Sequence, residues 1–238
     1  MNGKIPTGSR DLDLWLDGGY EKDVITTIYG PAGSGKTNFC IMAAVRQAAL
    51  GRKVIFIDTE GGFSVERMRQ LSSLDTMKNI LLIKATSFAE QKEAFSKLLG
   101  LAKSGIGLIV VDSIVMLYRL EMGEASQAKD DEKAREINRA LSRQMRILNE
   151  IARKKEIPVL VTDQVYGKFL SKEEFEAGKE KQVAMVGGDI LKYWSKCIIE
   201  IQNPGRKRKA IVRKHRSLPE KEIQFEIISS GIKKRGLF

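Results

Sequence analysis

An α/β fold, with a mostly parallel twisted sheet and helices on both faces, is predicted for this chain by three observations. Short β-branched runs alternate with helix-period segments, a Gly-rich loop joins one run to a helix, and carboxylates close two of the later runs. The strand-like runs cover residues 24–29, 54–58, 80–84, 108–112 and 159–162. An apolar helix is expected over 38–50, closed by Gly51, and another opens on a capping box made by Ser87 and Glu90. Past Gly188 the pattern changes to short strand candidates at 196–202, 209–214 and 223–228, separated by the turn signals Asn203-Pro204-Gly205 and Leu218-Pro219. The sheet is therefore expected to continue with antiparallel strands at its C-terminal end. With 238 residues, 42% of them hydrophobic, a single domain over 1–238 is the expectation.

The segment from Ile28 to Thr37 reads IYGPAGSGKT. Gly30, Gly33 and Gly35 permit backbone angles and a close approach that a Cβ obstructs, so successive N–H groups can turn inward around a phosphate. Lys36 supplies a point charge to β- and γ-phosphates, and the Thr37 hydroxyl can ligate Mg²⁺ where a helix dipole favours anions. Pro31, Ala32, Ser34 and Asn38 complete the candidate nucleotide cradle. Asp112 ends the run LIVVD, where a carboxylate can hold Mg²⁺ through water; its alternative is a helix cap shared with Ser113. Glu60, after FIDT, can orient and deprotonate the water attacking the γ-phosphate. ATP and Mg²⁺ are the cofactors this set implies.

Composition narrows the class further. Cys40 and Cys197 match no metal-ligand spacing and read as buried thiols in a reducing cytoplasm, and neither a signal peptide nor an apolar run of membrane-spanning length is visible. The net charge of +11 is uneven: residues 206–238 hold 11 Lys or Arg against 3 Glu. Arg206, Lys207, Arg208, Lys209, Arg213, His215 and Arg216 form a cluster suited to a polyanion, DNA above all, through phosphate neutralisation. The alternative is a solvated hairpin whose lysines guard a sheet edge. Residues 121–131 and 165–186 are polar and follow strand-like runs, so both are expected to be irregular binding loops at the strands' carboxyl ends, with Lys168, Tyr166 and Phe169 in the second. Trp15, Phe56, Phe63 and Trp194 sit in apolar patterns and read as core.

Five ordered segments carry a resemblance: IPTGSRDLDLWLDGGYEKDVITTIYGPAGSGKT, IDTEGGFSVERM, LIVVDSIVMLYR, LVTDQV and VGGDIL. In this order they resemble the core ATPase domain of the RecA-type recombinases in their archaeal and eukaryotic branch, a resemblance that covers essentially the whole chain from Ile5 to Ile232. The resemblance is strongest to that branch's short archaeal paralogues, which have the core without the helix-hairpin-helix domain and polymerisation linker. It implies a RecA-like P-loop ATPase core that serves DNA repair and homologous recombination. By the same resemblance Glu60 is the catalytic glutamate, Arg67 stacks on adenine, and Gln164 passes the γ-phosphate's state to two DNA-binding loops at 121–131 and 165–186. The implied partners are single- and double-stranded DNA without sequence preference, a full-length recombinase, and a Holliday-junction nuclease or DNA polymerase; the implied assembly is a homodimer or small oligomer.

Two departures refine that expectation. Glu121, Glu124, Asp130 and Asp131 make the first loop acidic where the family is Arg- and Gly-rich. A mediator or regulator with slow hydrolysis is expected rather than a strand-exchange enzyme. Lys214 stands where the full recombinase has a cap aspartate facing the neighbouring subunit's ATP; either its ammonium replaces the bound cation there or it belongs to the basic cluster. The competing class is a KaiC-like regulatory ATPase, which shares the opening motifs and acts on proteins. The single glutamate of DTEGGF and the basic carboxyl end favour the recombination ATPase.

Overall fold

The structure, a computed structural model, describes residues 3–167, 183–203 and 207–236. In chain order its elements are β1 (Lys4–Ile5), α1 (Arg10–Trp15), β2 (Tyr20–Glu21), β3 (Ile25–Gly30), α2 (Lys36–Ala49), β4 (Lys53–Asp58), α3 (Val65–Leu71), α4 (Leu74–Met77), β5 (Ile80–Lys84) and α5 (Phe88–Leu101). Then follow β6 (Ile106–Asp112), α6 (Met116–Gln127), α7 (Asp131–Lys155), β7 (Val159–Gly167), β8 (Val183–Met185), α8 (Gly188–Trp194), β9 (Cys197–Gln202), β10 (Arg208–Lys214), β11 (Lys221–Ile228) and β12 (Gly231–Lys234). The main sheet has the order β12-β11-β10-β9-β3-β7-β6-β4-β5, with β8 paired to β7.

From β9 to β5 all neighbours run parallel, and β10, β11 and β12 add antiparallel strands at one side. The last strands are thus antiparallel as expected, except that β9 is parallel to β3, because α8 returns the chain to the sheet's starting end before β9 begins. The period-2 alternation of each central strand feeds two cores. Ile55, Ile57, Ile109, Val111, Val159 and Val161 face α5, α7 and α8. Val54, Phe56, Leu108, Val110 and Leu160 face α1 and α2 on the other side.

The helices follow their caps. Ser87 Oγ accepts from Glu90 N at 3.1 Å, and the Glu90 carboxylate reaches back to Thr86 N at 2.7 Å, one residue earlier than an ideal capping box. Residues 121–131, expected to be irregular, are mostly helical instead. Leu117, Tyr118 and Ala125 give α6 a buried stripe, and Lys133 lies 3.5 Å from both Glu121 and Glu124, offsetting their repulsion. Asp130 then caps α7 by accepting from Lys133 N at 2.8 Å. Of the second expected loop, β7 continues through Gly167 and β8 returns alongside it, while 168–182 lie outside the described residues. No helix among the described residues is long and apolar enough to cross a membrane.

Candidate functional site

The site forms at the carboxyl ends of β3, β4, β6 and β7, where parallel strands leave loops free to meet a ligand. The tip Pro31, Ala32 and Gly33 is exposed, Gly33 has φ +70°, and a Cβ there would meet nothing within 4 Å. Gly35 turns the chain into α2 with φ +114°, a left-handed angle that favours glycine. Gly30 serves a different end: a Cβ on it would lie 2.3 Å from Ile201 O on β9. Ser34 Oγ is buried without a partner. Lys36 is 5% exposed and donates to Gly30 O and Pro31 O at 3.0 Å each, so its ammonium is held across the loop's mouth by acceptors that phosphate oxygens can replace. Burial lowers its pKa, and the Glu60, Asp112 and Asp163 carboxylates oppose that shift. An open cradle, an orphaned buried hydroxyl and a weakly satisfied ammonium fit a nucleotide's phosphates.

Asp112 is fully buried, and both carboxyl oxygens are engaged. Thr37 Oγ1 donates to Oδ2 at 2.7 Å and Thr162 Oγ1 donates to Oδ1. Burial raises its pKa while those two hydroxyls resist the rise. Thr37 and Asp112 thus converge as a hydroxyl and a carboxylate, a hard oxygen pair suited to Mg²⁺. The cap reading of this region falls to Ser113, whose Oγ accepts from Met116 N at 3.1 Å. Gln164 Nε2 donates to Glu60 Oε1 at 3.0 Å, joining two residues 104 apart in sequence. Gly62 sits over this group: a Cβ there would be 3.3 Å from Thr37 Oγ1 and 3.8 Å from Asp112 Oδ2.

One neighbour escaped the sequence reading. Asp163, between Thr162 and Gln164, is fully buried with neither oxygen hydrogen-bonded. Burial pushes its pKa well above the ordinary range, and Lys36 pulls it down only in part. A carboxylate inside the apolar run VLVTDQV was the available signal.

Arg67 is held elsewhere than on an open face. Its Nε donates to Asn38 Oδ1 at 2.8 Å, and its Nη1 donates to Ile228 O at 2.8 Å and Ser229 O at 3.0 Å, tying α3 to the β11–β12 turn. Lys214 pairs in register with Ile198 near the start of β9 and donates to Lys192 O at 2.7 Å, away from its own chain's phosphate loop. The basic cluster is largely neutralised from within. Lys209 pairs with Glu222 at 3.1 Å, Arg213 with Glu200 at 2.6 Å and Glu220 at 2.7 Å, and Arg216 with Glu21 at 2.8 Å and Asp23 at 2.5 Å. His215, expected to meet phosphate, has a side chain only 2% exposed, accepts from Ser217 N and Leu218 N, and lies 3.7 Å from Glu21. Burial lowers its pKa. Lys207 is exposed, Arg208 is half-buried, and Arg206 and Lys168 lie outside the described residues. A wider cavity of about 760 Å³ opens at the opposite end of the sheet, near Gln47 and Arg52, and touches none of the phosphate-loop residues.

Residues 3–235 match the protein family described as Rad51. The "DNA repair and recombination protein RadB" of Methanobrevibacter smithii is 40% identical over 97% of this chain and 96% of its own length. The chain belongs to the Rad51 family. A second protein of the same description, from Methanocaldococcus jannaschii, is 38% identical over 91% of this chain and 96% of its own. The crystal structure of the RadB recombinase superposes with a TM-score of 0.74 at 33% identity, covering 96% of this chain and 98% of that one. As a Rad51-family member the chain has the RecA-like architecture anticipated from its motifs, with the sheet and helices of RadB.

Proposed function

We propose that this Rad51-family chain is a Mg²⁺-dependent ATP-binding protein of DNA repair and homologous recombination, a single ATPase core that hydrolyses ATP slowly. The observation that carries the reading is the 2.7 Å hydrogen bond from Thr37 to the buried Asp112 at the mouth of the Gly-rich loop. It brings the two oxygen donors of a Mg²⁺ site together beside Lys36. When bound, MgATP supplies the phosphoanhydride and a charge-neutralising cation. The protein's residues do the rest. Loop N–H groups and Lys36 would hold phosphate oxygens, Thr37 and Asp112 would hold the metal, and Glu60 would take the proton of the attacking water. Gln164, bonded to Glu60, links that carboxylate to β7 and so to the segment after it.

The names of the relatives support a recombination role, and with it DNA binding and service to a full-length recombinase. Glu121, Glu124, Asp130 and Asp131 around α6 favour a mediator over a strand-exchange enzyme. The test is ATP hydrolysis against increasing single-stranded DNA, with Lys36→Ala as control. A slow rate that needs Lys36 and changes little with DNA supports the nucleotide-gated mediator. Strong DNA stimulation overturns it in favour of an active DNA-dependent ATPase, and a rate unaffected by Lys36→Ala overturns the nucleotide site itself.

A further inference from the structure

Besides the cations of the carboxyl end, a second group of unpaired positive charges in the described structure lies on α7. Arg135, Arg139, Arg143, Arg146 and Arg153 are all exposed, and none has a carboxylate within 4.0 Å among the described residues. Their spacing places them on one face, opposite the buried Ile137, Leu141, Met145 and Leu148. They extend over about 27 Å of helix, with roughly 6 Å between i and i+4 neighbours. A merely solvated helix face normally interleaves signs, because like charges at i, i+4 cost a few tenths of a kcal/mol per pair. Here Glu132, Glu136 and Glu150 flank the stripe, but Arg139, Arg143 and Arg146 follow one another with no acid between them.

The stripe ends at an aromatic shelf. Tyr193, at the end of α8, is 71% exposed and meets Trp194 edge-to-face at 5.2 Å, with Lys196 Nζ 6.0 Å from its ring centroid. A shallow cavity of about 360 Å³ joins these residues to Asn149 and Arg153 of α7. A row of guanidinium groups leading to an exposed ring flanked by cations matches the requirements of a nucleic acid strand. The phosphates track the charges and an unpaired base stacks on the ring.

We infer that the outer face formed by α7 and the end of α8 is a binding track for single-stranded nucleic acid, with Arg139, Arg143 and Arg146 on phosphates and Tyr193 stacking a base. This rests on the DNA-binding reading above and names a surface for it. An unpaired base is required because a duplex keeps its bases stacked on each other.

The test is fluorescence anisotropy of a labelled oligo-dT at several salt concentrations. The proteins are the full chain, the triple variant R139A/R143A/R146A, Tyr193→Ala and Tyr193→Phe, each checked for unchanged melting and MgATP binding. The triple variant is expected to flatten the slope of log affinity against log salt by about 2, from three lost single-strand phosphate contacts. Tyr193→Ala is expected to weaken oligo-dT roughly five- to a hundred-fold, Tyr193→Phe to restore it, and a duplex of equal length to be indifferent to both. Absence of any oligo-dT binding by the parent chain overturns the DNA-binding reading together with this inference. Binding that survives both the triple variant and Tyr193→Ala overturns the inference alone. Loss of poly-L-glutamate binding in the triple variant, with oligo-dT retained, assigns the stripe to an acidic protein and also overturns it.

Discussion

Replacing Asp163 by asparagine is expected to stabilise the protein at pH 8, with a gain that shrinks toward pH 4. The carboxyl group is fully buried, neither oxygen has a hydrogen-bond partner, and burial raises its pKa well above the ordinary range. Lys36 and the nearby N–H groups of Gln164 and Val186 hold back only part of that rise. An acid whose pKa is raised by folding binds more protons folded than unfolded between its two pKa values. Stability therefore falls as pH climbs from the unfolded value through the folded one. Asparagine keeps the shape and removes the ionisation. A buried unpaired polar group costs about 1–3 kcal/mol, and more when charged. Removing the charge at pH 8 is expected to recover about 1–3 kcal/mol, or roughly 2–4 °C in Tm for each kcal/mol at this chain length. The assay is urea unfolding followed by circular dichroism at pH 5, 6.5 and 8 without nucleotide. An asparagine variant less stable than its parent at pH 8, or a difference that does not change with pH, refutes the reasoning.

Three further outcomes are expected. Gly30→Ala forces a Cβ to 2.3 Å from Ile201 O, a backbone atom of a paired strand that cannot swing aside; a loss of about 3 kcal/mol or more is expected in thermal unfolding, with no nucleotide present. Gly62→Ala instead crowds Thr37 Oγ1 at 3.3 Å while leaving the sheet untouched, so melting of the apo protein should hold while MgATP affinity, measured by calorimetry, falls roughly tenfold. Arg216→Ala strips the partner from Glu21, 6% exposed, and from Asp23, for an expected cost of about 1–3 kcal/mol at pH 7. Because the Arg216 hydrogen bond lowers the Asp23 pKa, Asp23's share of that cost is present above the ordinary aspartate range and fades as pH falls through the lowered value, which acid titration of unfolding will check.

The parallel sheet was legible because its strands are apolar and end in distinctive chemistry: the predicted 80–84 coincides with β5, and 54–58 and 108–112 fall inside β4 and β6. What misled was polarity taken for irregularity. The segment 121–131 is polar because α6 buries fully only Leu117, Tyr118 and Ala125, with Met116 and Met122 half-buried beside them, a one-sided pattern too sparse to register as helix. β1, β2, β8 and β12 escaped notice because each is four residues or fewer. At the site, Lys36, Thr37, Asp112 and the Glu60–Gln164 pair were readable from motif and strand end. Asp163 was overshadowed by the glutamine beside it. Arg216 looked unpaired because its acids are remote in sequence, Glu21 and Asp23 lying 195 and 193 residues away, whereas Glu200, Glu220 and Glu222 meet Arg213 and Lys209 only once β9, β10 and β11 pair as neighbouring strands.

The clasp between the chain's two ends bears on how the protein is made. Ser9 donates to Ile232 O at 2.7 Å and Asp11 accepts from Lys234 N at 2.7 Å, both across 223 residues, while Arg67 grips the turn just before β12. During synthesis α1 is made long before the strand that covers it, the bonded residues being 223 positions apart. Leu12 and Trp15 therefore lack that part of their cover until β12 is made, and the closing contacts carry the loop entropy of the chain between. Truncation just before Gly231 is accordingly more harmful to newly made protein than the modest area of a four-residue strand suggests.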